Sequence, residues 1–147
     1  MKTKPLIGLA AVALAAVAGW AVFVPQKTAP DAAAQTAPAE GAPIADVTLP
    51  ARLSETASLG KTAFDAVCAA CHGENAAGKQ GFGPPLVHKI YEPSHHGDAA
   101  FQVAAAQGVR AHHWRFGNMP PQDGVTAGDV TAIIAYVREL QRANGIE

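Results

Sequence analysis

Cysteine is scarce in this chain of 147 residues, which holds only two. That excludes a disulfide-dense secreted scaffold and a four-thiolate zinc site. Aromatic residues make up 6% of the chain, so little ring surface is available to fill a core. Neither sign of charge is in excess. The formal net charge is -1, and without a broad basic face nucleic acid is not an expected partner. No alternating run of apolar and polar residues is long enough to suggest a strand. Beyond Met1 there is one methionine, Met119, so the rest of the chain offers a single thioether.

What is present falls into three pieces. Residues 1–25 open with Lys2 and Lys4 and carry no charge from Pro5 to Pro25. An apolar helix of about 20 residues spans roughly 30 Å of hydrocarbon, and Trp20 lies where an interfacial ring belongs. The expected reading is a signal-anchor, longer than the apolar stretch of a cleaved signal. Cleavage near Ala18, after Ala16-Val17-Ala18, is the alternative and would leave a soluble periplasmic protein. Either way the lysines mark the cytoplasmic side and the remainder is exported. Residues 26–52 are rich in Ala, Pro, Thr and Gln. Their recurring prolines break helix, and no apolar period supports a packed face, so they read as a semi-extended linker.

Residues 53–147 form the expected globular domain, nearly neutral and small enough to lean on a cofactor, metal or disulfide. Leu59 to Ala70 reads as a helix with Leu59, Ala63, Ala66, Val67 and Ala70 on one face and Phe64 beside it. Asp98 to Gln107 reads as another, capped by Asp98 and stopped by Gly108. Val130, Ile133, Ile134, Val137 and Leu140 keep a helical period behind a capping-box start at Thr126 and Asp129. The domain is expected to be all-α, with long loops.

Both cysteines fall in Cys68-Ala69-Ala70-Cys71-His72. This run is the attachment signature of c-type haem. Three residues apart at a helix end, the sulfurs lie on one side of the chain and can reach two vinyl groups along one porphyrin edge. His72 then turns its imidazole to the iron. A redox-active pair of thiols would need βαβ context, and zinc would need two further ligands. Neither is evident. Met119 lies in Phe116-Gly117-Asn118-Met119-Pro120-Pro121, a polar, proline-flanked loop that is a poor place for core filler. It is the candidate second axial ligand, and His/Met ligation raises a haem potential.

On these residues the domain resembles the class I c-type cytochromes. Gly60, Phe64, Cys68, Cys71 and His72 match that family's first helix and attachment motif. The resemblance implies one haem c bound through Cys68 and Cys71, inside three to four helices and long loops. In Gly83-Pro84-Pro85-Leu86 it implies that the Pro84 carbonyl accepts a hydrogen bond from His72. It also implies that Met119-Pro120 is the distal loop, and that Ile133, Ala135 and Tyr136 lie on a last helix crossing the first near Gly60. A glycine at such a crossing lets two backbones approach closely.

The implied activity is electron transfer and not enzymatic turnover. The domain would be tethered to the inner membrane, facing the periplasm, and would serve redox partners such as a membrane oxidase, a quinol-oxidising complex or a copper protein. The alternatives are an electron-input subunit of an oxidase or dehydrogenase complex, or a haem peroxidase or ligand sensor with an open distal site. Five histidines lie between the two ligand loops: His88, His95, His96, His112 and His113. They read as plain surface or haem-edge residues, as donors near the propionates with Trp114 and Arg115, or as a copper or zinc site. Arg115 suits a propionate best, because its planar fork matches a carboxylate.

Overall fold

The computed structural model describes residues 38–147. The expected anchor, residues 1–25, and the linker as far as residue 37 lie outside them. Among the described residues, no helix is long and apolar enough to cross a membrane.

Ser54 ends an extended stretch, and its hydroxyl accepts the Ala57 amide at 3.1 Å. The first helix, α1, therefore begins at Glu55 and runs to Val67, starting earlier than the apolar period alone suggests. Cys68 stays helical but ends α1, and a single turn, α2, follows over Ala69–His72. The third helix, α3, covers Asp98–Gln107 and stops at Gly108, whose φ of 75° admits no ordinary side chain. Asp98 is the first residue of α3 and not its cap, since Gly97 holds that place. The last helix, α4, covers Ala127–Ala143. Its capping box is complete: Thr126 Oγ1 accepts the Asp129 amide, and Asp129 accepts the Thr126 amide at 2.9 Å. The Thr126 hydroxyl, donating to Asp129 Oδ2 at 2.7 Å, and then the Thr126 amide hold the Asp129 carboxyl below the usual carboxylate range. Strand-like pairing among the described residues is confined to two isolated bridges, Lys79 with Gly83 and Val109 with Met119.

The core sits where α1 crosses α4. Ala57, Gly60 and Phe64 are the buried residues of α1, and they meet Ile133, Tyr136, Val137 and Leu140. Leu59, which the apolar period places on the inner face, is instead 65% exposed. Small residues explain the difference. A Cβ on Gly60 would stand 1.8 Å from the Ala132 carbonyl oxygen, so the two backbones touch and α1 turns its smallest face inward. Phe64 then meets Tyr136 edge to face, with ring centroids 5.6 Å apart, a pairing that contributes roughly 0.5–1.5 kcal/mol beyond area burial.

Part of the stretch read as linker belongs to this body. Gly41 donates to Gln80 O at 2.8 Å, and Ile44 and Ala45 both donate to Ala77 O. Thr48 exchanges two bonds with the Asn144 side chain, each 2.9 Å long. Proline prevents residues 41–50 from pairing among themselves, so their backbone groups find partners on the domain.

The contact at Gly60 makes a clear prediction. In urea unfolding of the haem-loaded protein, Gly60→Ala lowers stability by about 2–3 kcal/mol or more. Gly128→Ala, where a new Cβ meets nothing closer than 3.6 Å, stabilises by up to about 1 kcal/mol. Equal effects would contradict this account of the crossing.

Candidate functional site

Cys68 occupies the break between α1 and α2, and Cys71 lies within α2. Cys68 donates its amide to Phe64 O at 2.8 Å, so its position is inherited from the core. The carbonyl of Cys68 receives the amides of both Cys71 and His72, at 3.2 and 2.9 Å. This tight turn carries both cysteines and His72 on one short element. Cys71 is exposed and Cys68 half-buried. Burial, and secondarily Cys71, pushes the Cys68 thiol up to about 11.

Beyond His72 the chain reverses sharply. Gly73 has a φ of 71°, and a Cβ there would meet the Gly78 carbonyl oxygen at 2.3 Å. Asn75 and Ala76 also take positive φ values of 54° and 57°. The Ala76 carbonyl is fixed by the amides of Leu86 and Val87, and Asn75 Oδ1 accepts the Tyr136 hydroxyl at 3.1 Å. Burial, then Asp65, pushes the Tyr136 phenol up to about 12, so it remains a donor. The reversal brings Gly83 against Cys71, where a Cβ would lie 2.7 Å from the Cys71 carbonyl oxygen.

It also brings the Pro84 carbonyl to 2.9 Å from His72 Nδ1, the contact that the family resemblance implies. A carbonyl only accepts, so Nδ1 carries the proton and Nε2 keeps its lone pair. Burial lowers the His72 imidazole below its ordinary value, with the Pro84 bond opposing. His72 thus presents a neutral, oriented ligand nitrogen.

Met119 lies in the loop that precedes α4 and is pinned from several sides. Its amide and carbonyl both bond Val109, at 3.0 and 2.9 Å. Gly108 packs so closely that a Cβ would stand 2.5 Å from the Met119 carbonyl oxygen. Asn118 Oδ1 accepts the Ala111 amide at 2.9 Å, and Gln122 bonds Pro120 O at 2.7 Å. The thioether is half-buried on this braced loop.

Arg115 is exposed and enters neither of the two ion pairs among the described residues, Lys61–Asp65 and Arg138–Asp98. The neighbouring Trp114 differs. Its ring meets His88 edge to face at 5.1 Å and stacks on Phe116 at 6.0 Å. Burial raises the Tyr91 phenol, an effect the Trp114 indole opposes, yet Trp114 Nε1 is buried with no acceptor in hydrogen-bond geometry. An orphaned buried donor is costly, and a small shift toward the Tyr91 hydroxyl or a carboxylate brought by a bound group would satisfy it. With Cys68, Cys71 and His72 as its attachment set, haem c fits these residues, and a propionate would satisfy the indole.

His112 and His113 pack with the other histidines rather than against Trp114. Their rings turn to His96 and His95, with His95 Nε2 3.3 Å from His113 Nε2. Partial desolvation, then the charges of His112, His96 and His95, lowers the His113 imidazole.

Sequence reasoning missed Arg138 and Gln141. Arg138 is 7% exposed and donates to Asp98 Oδ1, Tyr91 O, Gln141 Oε1 and His96 O at 2.6–2.8 Å. Gln141 donates to Leu86 O and Tyr91 O. Together they tie the loop after Pro85 to α4. The available signal was their i, i+3 placement on the face that carries Ile134 and Val137. A surface groove beside them, lined by Asp98, Gln102, Ile134 and Arg138, contains neither cysteine nor His72 and is not the attachment site.

In comparison with known proteins, the family model described as cytochrome c matches residues 57–141. No curated protein and no solved structure matches the chain.

The orphaned indole gives a prediction whose sign is informative. Trp114→Phe keeps the ring contacts and removes only the N–H. If a propionate accepts it, the haem-loaded protein loses about 1.5–3 kcal/mol of stability, as for a hydrogen bond to a charged group. A gain in thermal stability would show that the donor is unpaired in the loaded protein as well.

Proposed function

Because the chain belongs to the cytochrome c family, an electron-transfer haem protein in kind, we propose that it is a membrane-tethered, periplasm-facing carrier with one haem c. In this reading Cys68 and Cys71 bind the haem covalently, and His72 and Met119 are the axial ligands. Haem c, when bound, supplies a centre that takes up and releases one electron. The work of the chain's own residues is positional. The Pro84 carbonyl orients His72 at 2.9 Å, and the Val109–Met119 pairing braces the distal loop. Arg138 and Gln141 hold the intervening loop against α4.

The observation that carries this reading is the Pro84 carbonyl 2.9 Å from His72 Nδ1, which leaves Nε2 free to ligate, in a histidine that directly follows two cysteines at haem-attachment spacing. With both His72 and Met119 holding the iron, no position would be left for a substrate, as a carrier requires and a peroxidase or sensor does not.

The tether is proposed from residues 1–25 as inner-membrane anchor, joined by the proline-rich stretch as far as residue 40. From Gly41 onward the chain is docked on the domain. Tethering raises the effective concentration near membrane partners, up to the millimolar range for short flexible linkers. That suits a nearly neutral domain, which lacks the field needed for strong electrostatic steering. The proposed partners are a membrane oxidase, a quinol-oxidising complex or a copper protein.

Carbon monoxide binding to the ferrous protein tests the assignment of Met119. Wild type is expected to resist it. Met119→Ala is expected to bind at least about tenfold more tightly, the equivalent of about 1.4 kcal/mol. Rapid, tight binding by wild type would overturn the carrier reading in favour of an open distal site.

A further inference from the structure

The four clustered histidines are not used by the haem reading, and three of them converge. His95 and His96 sit in a turn whose amides both bond the Glu92 carbonyl, at 3.0 and 2.8 Å. His113 comes from the loop between Val109 and Met119. One ligand nitrogen from each of His95, His96 and His113 lies within 4.8 Å of the other two. Zinc binds imidazole nitrogen at about 2.0–2.1 Å, so two ligands at a tetrahedral angle stand about 3.3 Å apart. His95 Nε2 and His113 Nε2 are 3.3 Å apart. That pair already has the spacing, and His96 needs only a small movement to join it.

The surroundings favour a ligand role. His96 Nδ1–H donates to the Ile90 carbonyl at 2.6 Å, leaving Nε2 bare. The His96 carbonyl is itself held by Arg138 at 2.6 Å. A metal-ligating imidazole characteristically has its other nitrogen tied in this way. His112 is fixed likewise, its Nδ1–H donating to Arg110 O at 2.9 Å, and its ring lies 4.3 Å from that of His113. No carboxylate belongs to the cluster. An all-imidazole set suits copper and zinc and disfavours magnesium and calcium. His95 and His113 are exposed, so an ion can reach the site from solvent.

We propose that His95, His96 and His113 form a surface site for one imidazole-seeking divalent ion, Cu2+ or Zn2+, distinct from the haem attachment site. The ion would join two segments that the His95–His113 contact already brings together. The turn 92–97 is anchored to α4 through Arg138, and the loop 110–118 leads directly into Met119. A bound ion therefore clamps that loop to the body of the domain. The alternative for the same atoms is a shared proton between His95 and His113, with no ion.

The experiment is calorimetric titration of the full, haem-loaded chain, freed of metal by chelator and dialysis, with Zn2+ in one arm and Cu2+ in the other. Saturation at one ion per chain in either arm supports the site and names the ion. His95→Gln and His113→Ala should each weaken that binding at least tenfold while leaving the haem absorption spectrum unchanged. The ion should also raise the thermal midpoint of wild type and not that of His95→Gln. This exposed turn position keeps the test valid should His113→Ala fold poorly. Saturation in neither arm, or wild-type affinity in the His95→Gln variant, would overturn the proposal.

Discussion

The bare backbone contact between α1 and α4 at Gly60 is the constraint on which the other elements depend. With 1.8 Å between a hypothetical Cβ and the Ala132 carbonyl, only glycine permits the crossing, and the crossing sets where each helix leads. From α1 the Cys68 amide is held by Phe64, so the attachment turn has the position that the core dictates. From α4, Tyr136 reaches Asn75, while Arg138 and Gln141 reach the carbonyls of Leu86, Tyr91 and His96. The loops on either side of the Gly83–Leu86 stretch thus hang from one helix pair. A domain this small, with few aromatic residues, has little else to hang them from. A covalently attached apolar ring would add the core surface that its side chains do not provide.

Different parts of this arrangement were legible in the sequence to different degrees. Cys68, Cys71 and His72 could be read directly, because covalent haem attachment demands those residue types at that spacing. The period of α4 was equally clear, since its Val, Ile and Leu residues are large and its Thr126–Asp129 cap is local. The face of α1 was misread. A stripe containing Leu59 and Val67 outweighs a stripe of Ala57 and Gly60 in any hydrophobic count, yet close backbone approach rewards the smaller one. The start of α1 was also placed late, because the cap at Ser54 precedes the apolar residues. Arg138 and Gln141 were invisible as anchors, because their partners are backbone carbonyls, which every residue has. The docking of residues 41–50 was hidden for the same reason. Proline content shows what such a segment cannot do alone, not which carbonyls await it elsewhere.

The histidines show how tertiary structure changes the meaning of a composition. As adjacent pairs separated in sequence, His95-His96 and His112-His113 point in different directions and suggest no ligand set. The anchoring of one pair through Arg138, and the bridge that closes the 110–118 loop, bring the pairs face to face. Met119 closes the same loop, so the residue proposed as iron ligand and His113, one of the three proposed for a second ion, share one loop, closed by the Val109–Met119 pairing.

The central claim is that this chain carries one haem, bound through both cysteines of a single turn. Trypsin would release residues 62–79, the peptide between Lys61 and Lys79 that contains the whole motif. Its mass can be measured whatever becomes of the N-terminus. The account predicts a peptide heavier by one haem, with neither thiol open to alkylation. A peptide of bare mass with both thiols free, from protein isolated after export, would contradict it.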